Sequence, residues 1–184
     1  MSIRITGGEA RGRPVPSPSG KGVRPTASKM RQALFNILGS RTAQASFLDI
    51  FAGTGLIGLE ALSRGAASLT AIEQNKLLAA NIKVSAQQLG YKVEVVSGDF
   101  RRALSRLAGR KFDIIFADPP YEAKLEREIL VALVNNNILQ ENGVLIIEHL
   151  SQCAIDCEGL PLRQVDRREY GQSAFTFYVY HKEQ

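Results

Sequence analysis

Phe47-Leu48-Asp49-Ile50-Phe51-Ala52-Gly53-Thr54-Gly55 runs from a β-rich stretch, through two glycines, into a helical stretch carrying Gly58. Strand, glycine turn and helix form the opening unit of an open α/β sheet, and ligands bind at the carboxyl end of such a strand. Gly53 and Gly55 let the backbone approach a ligand closely, because no Cβ is in the way. Taken alone the signal is weak. The turn could serve NAD, S-adenosylmethionine or a plain tight bend, and Gly53, Gly55 and Gly58 formally satisfy the dinucleotide spacing Gly-x-Gly-x-x-Gly.

Outward from this turn the chain alternates short β-rich runs with helical ones. Strands are expected over 47–51, 68–73, 93–97, 112–117 and 144–148, and helices over 56–64, 75–89, 100–107 and 123–136. The strand runs are apolar on both faces, as when helices cover both sides of a parallel sheet. The pattern breaks at the C-terminus, where 162–170 and 174–181 flank Gly171-Gln172-Ser173 and predict a closing hairpin. Upstream, Thr26 is the expected cap of a helix marked by Met30, Leu34, Ile37 and Leu38 and stopped at Gly39. The fold class is α/β, a doubly wound sheet ending on an antiparallel strand.

At 184 residues, 45% hydrophobic and 22% charged, the composition fits one globular domain and excludes wholesale disorder. No apolar run approaches the ~18 residues of a membrane span, and no secretory leader is visible, so a cytoplasmic protein is expected. Cys153, Cys157, His149 and His181 are too few and too poorly spaced for a metal site or a disulfide framework; they read as reduced thiols and roleless imidazoles. The net charge of +5 is unevenly placed. Arg4, Arg11, Arg13, Lys21, Arg24, Lys29 and Arg31 face a single acid, Glu9, within the first 31 residues, while the remainder is nearly neutral. Such asymmetry points to a polyanionic partner or to a solvated arm. Its prolines and glycines make this stretch extended and irregular, not a helix directed at a membrane.

The remaining chemistry follows the strand ends. Glu73 lies twenty residues after Gly53 and can accept both ribose hydroxyls of an adenosine, which NAD and S-adenosylmethionine share. Asp99 can accept from an adenine amine while Phe100 packs on the base; equally, the pair is a helix cap and a core aromatic. The fourth strand ends in Asp118-Pro119-Pro120-Tyr121. Two prolines hold this turn extended and aim its carbonyls at the crevice, and the Tyr121 ring offers a base a stacking face. An exocyclic purine amine is a poor nucleophile because its lone pair is delocalised. A carboxylate and a carbonyl accepting its two N–H bonds draw the nitrogen toward tetrahedral geometry and stabilise the charge that grows as it attacks a methyl group. Hydride transfer has no use for this arrangement.

These residues resemble the S-adenosylmethionine-dependent amino-methyltransferases with an Asp/Asn-Pro-Pro-Tyr motif. Arg4-Ile5-Thr6-Gly7-Gly8, Gly12-Arg13, Arg24-Pro25-Thr26, Arg31-Gln32-Ala33-Leu34-Phe35-Asn36 and the stretch from Asp49 to Gly55 are similar to one bacterial family. It methylates the N2 amine of guanine 966 in 16S ribosomal RNA. The resemblance implies a Rossmann-like fold with a seven-stranded, mostly parallel sheet, an antiparallel C-terminal hairpin and a small basic N-terminal β-hairpin. It implies an RNA-contacting extension over 1–26 and a methyltransferase domain over 27–184, with S-adenosylmethionine as donor and S-adenosylhomocysteine as product. Asp118, Pro119, Pro120 and Tyr121 would then hold the base, and Asp49, Phe51, Gly53, Gly55, Glu73, Asp99 and Phe100 the cofactor. Arg4, Arg11, Arg13, Lys21, Arg24 and Arg31 would meet RNA. The implied partner is 16S ribosomal RNA in an assembled or partly assembled small subunit, met by a monomer away from any membrane. A DNA or RNA adenine-N6 methyltransferase with the same clamp is the alternative, and a non-catalytic nucleic-acid-binding domain is a third. No separate DNA-reading domain is visible, which favours RNA.

Overall fold

The basic N-terminal stretch forms a two-stranded antiparallel ribbon, β1 (Ser2–Arg4) and β2 (Pro14–Pro16), with Ile3 opposite Val15. The structure, a computed structural model, describes residues 2–16 and 25–181. Over its described part the stretch is not an irregular arm. Ile5, Ala10 and Val15 are buried in the core, and burying such side chains is worth ~1.5–3 kcal/mol for the larger ones.

The first helix, α1 (Pro25–Leu38), begins at Pro25, which places Thr26 inside the first turn and not at the cap. Proline suits a first turn because its missing N–H would have no helical partner there. Met30, Leu34 and Leu38 are buried as expected, but Ile37 is exposed and Phe35 buried. The apolar stripe is rotated toward Arg31 and Phe35, which leaves Ile37 at its rim.

A 3-10 turn (Gly39–Thr42) leads into the alternation: β3 (Ser46–Ile50), α2 (Leu56–Ser63), β4 (Ser68–Glu73), α3 (Lys76–Leu89), β5 (Glu94–Ser97), α4 (Phe100–Arg106) and β6 (Phe112–Ala117). After a short 3-10 turn (Tyr121–Ala123) come α5 (Glu126–Asn135), β7 (Leu139–Leu150), β8 (Leu162–Tyr170) and β9 (Ser173–Tyr180). The seven strands from β3 onward form one sheet in the order β5-β4-β3-β6-β7-β9-β8. Pairs from β5 to β7 are parallel, and β9 runs antiparallel between β7 and β8. Side chains alternate between two cores: Phe47, Ile114 and Ile146 face α1, α2 and the ribbon, while Leu48, Ile115 and Leu145 face α4 and α5.

Two boundaries differ from the sequence pattern by more than two residues. Strand β7 begins at Leu139, paired with Phe112, and the register then jumps to Val144 opposite Ile114. Residues 140–143 thus interrupt the apolar run without ending the strand. Helix α5 starts at Glu126 and not at 123, because the 3-10 turn ends on Lys124 in the left-handed region (φ 49°).

The register aligns the ends that matter. Ile50 pairs with both Ile72 and Ala117, and Glu73 with Ser97, so the loops after β3, β4, β5 and β6 open on one edge. The strand order reverses between β3 and β6, which is where an open α/β sheet leaves a crevice.

Candidate active site

The loop after β3 is held from behind by two carboxylates. Glu73 accepts from the Gly53 N–H through Oε2 and from the Asn75 N–H through Oε1, both at 2.7 Å. Asp49, 2% exposed, accepts from the Gly58 N–H at 3.1 Å. Burial pushes the Asp49 carboxyl up to about 7, and the Glu73 charge adds to the rise. The glycines serve packing as well as approach. Gly55 has φ 76° and a Cβ there would meet Ile82 at 2.9 Å; one on Gly58 would meet Leu69 at 2.5 Å. The dinucleotide-like spacing is thus accounted for by how α2 sits against α3 and β4.

In front of this loop lies a cleft of about 450 Å³, lined by Phe51, Glu73, Gly98 and Phe100 on one side and by Asp118 to Tyr121 on the other. Its volume falls within the ~300–1,000 Å³ of small-molecule sites. The Phe51 and Phe100 rings stand 5.1 Å apart at 50°, an apolar slot with the Glu73 carboxylate in the same wall. Each Glu73 oxygen keeps a second lone pair after its bond to the backbone. An apolar slot beside a buried acceptor is the donor and acceptor set an adenosine requires, so these residues fit the nucleoside part of S-adenosylmethionine.

Asp49, Gly53 and Gly55 stand behind the cleft wall and shape it. Asp99 is turned away: Oδ1 caps α4 at the Arg101 N–H (3.0 Å) and Oδ2 pairs with the Arg101 guanidinium (2.9 Å). Of the two readings of this pair, the cap describes Asp99, whereas Phe100 is both core aromatic and cleft wall. Ile72, Gln74 and Gly98 also line the cleft and were missed; the ends of β4 and β5 were the available signal.

Asp118 stands where the cleft meets a second cavity, of about 710 Å³, and with Tyr121 lines both. Met30, Leu56, Glu148, Gln172 and Ser173 lie along the second cavity. Burial holds the Asp118 carboxyl well above the usual carboxylate range, and the charges of Glu148 and Asp49 raise it further. The Tyr121 hydroxyl donates to Glu148 Oε1 at 3.1 Å and lies 3.0 Å from Ser173 Oγ. That fixes the ring, and burial raises its hydroxyl pKa. Burial likewise raises the Glu148 carboxyl, against the Tyr121 hydrogen bond. Sequence reasoning missed Glu148 and Ser173, since the pairing of β6 with β7 brings the first to the Asp-Pro-Pro-Tyr turn and that of β7 with β9 brings the second.

The basic residues divide. Arg4, Arg11 and Arg13 are exposed on the ribbon, with Arg4 donating to the Gly12 carbonyl (2.7 Å) and Arg13 to the Gln88 carbonyl (2.6 Å). Arg31 corrects its assignment to RNA. It is 4% exposed, pairs through Nε with Glu60 at 2.7 Å and donates to the Arg4 carbonyl at 2.9 Å. A guanidinium committed to a buried carboxylate is not free for phosphate. Lys21 and Arg24 lie outside the described residues.

Sheet order, crevice and Asp-Pro-Pro-Tyr wall together define the class: the protein is an S-adenosylmethionine-dependent methyltransferase. A family model described as Conserved hypothetical protein 95 matches residues 3–179. Ribosomal RNA small subunit methyltransferase D of Escherichia coli K12 is 40% identical over 163 residues, covering 86% of this chain and 78% of that protein. The protein of the same name from Haemophilus influenzae is 35% identical over 150 residues, covering 79% and 78%. The solved structure of yhhF from Escherichia coli, itself described as a methyltransferase candidate, superposes with a TM-score of 0.86 at 32% identity over the whole of both chains. The chain belongs to the ribosomal RNA small subunit methyltransferase D family.

Proposed function

We propose that this protein transfers a methyl group from S-adenosylmethionine to the N2 amine of a guanine in small-subunit ribosomal RNA. One observation carries the reading: Asp118 belongs to both cavities, so a nucleoside in the cleft and a base in the second cavity would meet at a single carboxylate. When bound, S-adenosylmethionine supplies an electrophilic methyl group on a sulfonium centre and leaves as S-adenosylhomocysteine. Glu73 would accept its ribose hydroxyls, with Phe51 and Phe100 against the adenine.

Asp118 would accept one N–H of the target amine and the Pro119 carbonyl the other, freeing the nitrogen lone pair for attack. The nitrogen so held would take up the methyl group in exchange for one of its protons. The surplus amine proton passes to Asp118 or to water. Preorganised acceptors of this kind typically contribute ~10²–10³ in rate. The base must leave its stack to reach Asp118, which costs a few kcal/mol in a duplex and least in an unpaired loop. A loop guanine is the natural target.

The names of the relatives support ribosomal RNA as the substrate class. On this reading residues 1–26 form an RNA-contacting extension of a methyltransferase domain over 27–184, with Arg4, Arg11 and Arg13 toward phosphate. On this reading the protein acts as a monomer, in the cytoplasm, on an assembled or partly assembled small subunit. Among the described residues no helix is long and apolar enough to cross a membrane. The test is to incubate the protein with labelled S-adenosylmethionine and small subunits from a strain lacking it, then identify the methylated nucleoside. Label in N2-methylguanosine is expected. Label in N6-methyladenosine, or label only when DNA is supplied, would replace this reading with the adenine one.

A further inference from the structure

Glu148 takes no part in the transfer described above, yet it faces the same cavity as Asp118. Its Oε1 is engaged by the Tyr121 hydroxyl, which Ser173 holds from the other side. Its Oε2 has no hydrogen-bond partner among the described residues, and the side chain is half-buried. The cavity therefore presents hydrogen-bond acceptors at two neighbouring points, one on Asp118 and one on Glu148. The Glu148 charge acts on Asp118, and two adjacent donors on a ligand relieve the repulsion between the two carboxylates.

Guanine offers such a pair of adjacent donors. Its N2 amine is followed along the Watson–Crick side by N1–H, a second donor. Adenine places its N6 amine beside N1, a bare lone pair. With either amine seated at Asp118, the next atom of the edge meets Glu148: guanine donates, whereas adenine sets an acceptor against an acceptor. We propose that Glu148 selects guanine over adenine by accepting from N1–H while Asp118 holds the exocyclic amine, with Tyr121 and Ser173 fixing the carboxylate for that contact. The inference rests on the proposed function and names the group that reads the base. A site built to accept an N–H rejects the analogue that lacks it more strongly than a hydrophobic pocket rejects a change of shape.

The test uses 2-aminopurine, which keeps the N2 amine but has a lone pair at N1. Small subunits are reconstituted with 16S RNA carrying guanine or 2-aminopurine at the methylated position, and kcat/KM is measured for each. The protein should prefer guanine at least about tenfold, the worth of one charge-assisted hydrogen bond. Glu148→Gln should lose rate on guanine, and its preference over 2-aminopurine should fall toward unity, because an amide N–H can donate to the bare N1. Its affinity for S-adenosylmethionine by calorimetry should be unchanged. Equal rates of the unaltered protein on the two bases would overturn the inference without any variant, as would a Glu148→Gln protein that keeps the full preference. Failure of the underlying function reads differently: the unaltered protein would then put no label on the guanine N2 amine at all.

Discussion

Asp118 and Glu73 line the same cleft and carry different halves of the reaction, which makes them separable by substitution. Asp118→Ala should cut turnover by ~10²–10³ while S-adenosylmethionine affinity stays nearly constant, since the carboxylate meets the base. Calorimetry with single-turnover kinetics checks this; lost cofactor binding with an intact rate at saturation would refute the assignment. Glu73→Ala should do the reverse. Charge-assisted hydrogen bonds are worth roughly 1.5–3 kcal/mol each, and the side chain also braces Gly53 and Asn75, so the dissociation constant should rise tenfold or more. An unchanged constant would put the ribose elsewhere. Asp49 carries a pH signature. Below the ordinary value of 3.8 the carboxyl is protonated in both folded and unfolded chains, and between 3.8 and about 7 only the folded chain keeps the proton. Stability therefore falls as pH rises through that window, by up to ~1.4 kcal/mol per pH unit, and the loss is complete above it. Asp49→Asn removes this titration. Urea midpoints at pH 4 and pH 8 should differ less for the variant than for the parent; an equal difference would mean that Asp49 titrates as an exposed acid.

Helix α2 is the element on which the N-terminal half turns. It begins at the glycine loop and carries Glu60, 0% exposed, at the point where α1 and the ribbon meet it. Glu60 Oε2 accepts from Arg31 Nε (2.7 Å) and the Thr6 N–H (3.1 Å), and Oε1 from Arg64 (2.8 Å) and the Thr6 hydroxyl. Three residues further along, Ser63 accepts from the Ala10 N–H (2.9 Å) and donates to the Gly7 carbonyl (2.7 Å). Glu60→Ala would leave Arg31 buried and unpaired, which typically costs ~3–5 kcal/mol. A marked drop in unfolding temperature is expected, and a change too small to measure would show that water replaces the carboxylate. This network was invisible in the sequence. Arg31 and Glu60 are 29 residues apart, no periodicity links them, and Arg31 reads naturally as one more cation of a basic stretch. The strands were legible because β3 to β6 are apolar runs bounded by glycine, proline or acidic residues. The start of β7 was not, since residues 140–143 interrupt its pattern while the backbone keeps pairing. Asp118 could be found from its local motif, whereas Glu148 reads as an ordinary acid in a strand until β7 is placed beside β6.

The ribbon and the second cavity share one side of the molecule. Met30 and Arg31 of α1 and Leu56 and Ile57 of α2 line the cavity, and the same two helices receive the ribbon through Arg31, Glu60 and Ser63. Nucleic acid held by the exposed Arg4, Arg11 and Arg13 would thus lie beside the opening through which a base reaches Asp118. Removing the whole stretch is a poor test of that arrangement, because Ile5, Ala10 and Val15 belong to the core and their loss would unsettle α1 and α2. Replacing Arg4, Arg11 and Arg13 together by glutamine leaves those apolar contacts in place and gives up exposed hydrogen bonds only to Gly12 and Gln88. Each phosphate contact to a single strand contributes ~0.7 to the slope of log affinity against log salt, so losing three should flatten the slope by about 2 and weaken binding most at low salt. Affinity for S-adenosylmethionine and the unfolding temperature should stay close to those of the parent, since neither cavity nor core is touched. Filter binding of target-loop RNA across a salt series decides the matter: coincident slopes for parent and variant would mean that the ribbon's charge faces solvent, and that the polyanion is held elsewhere on the molecule.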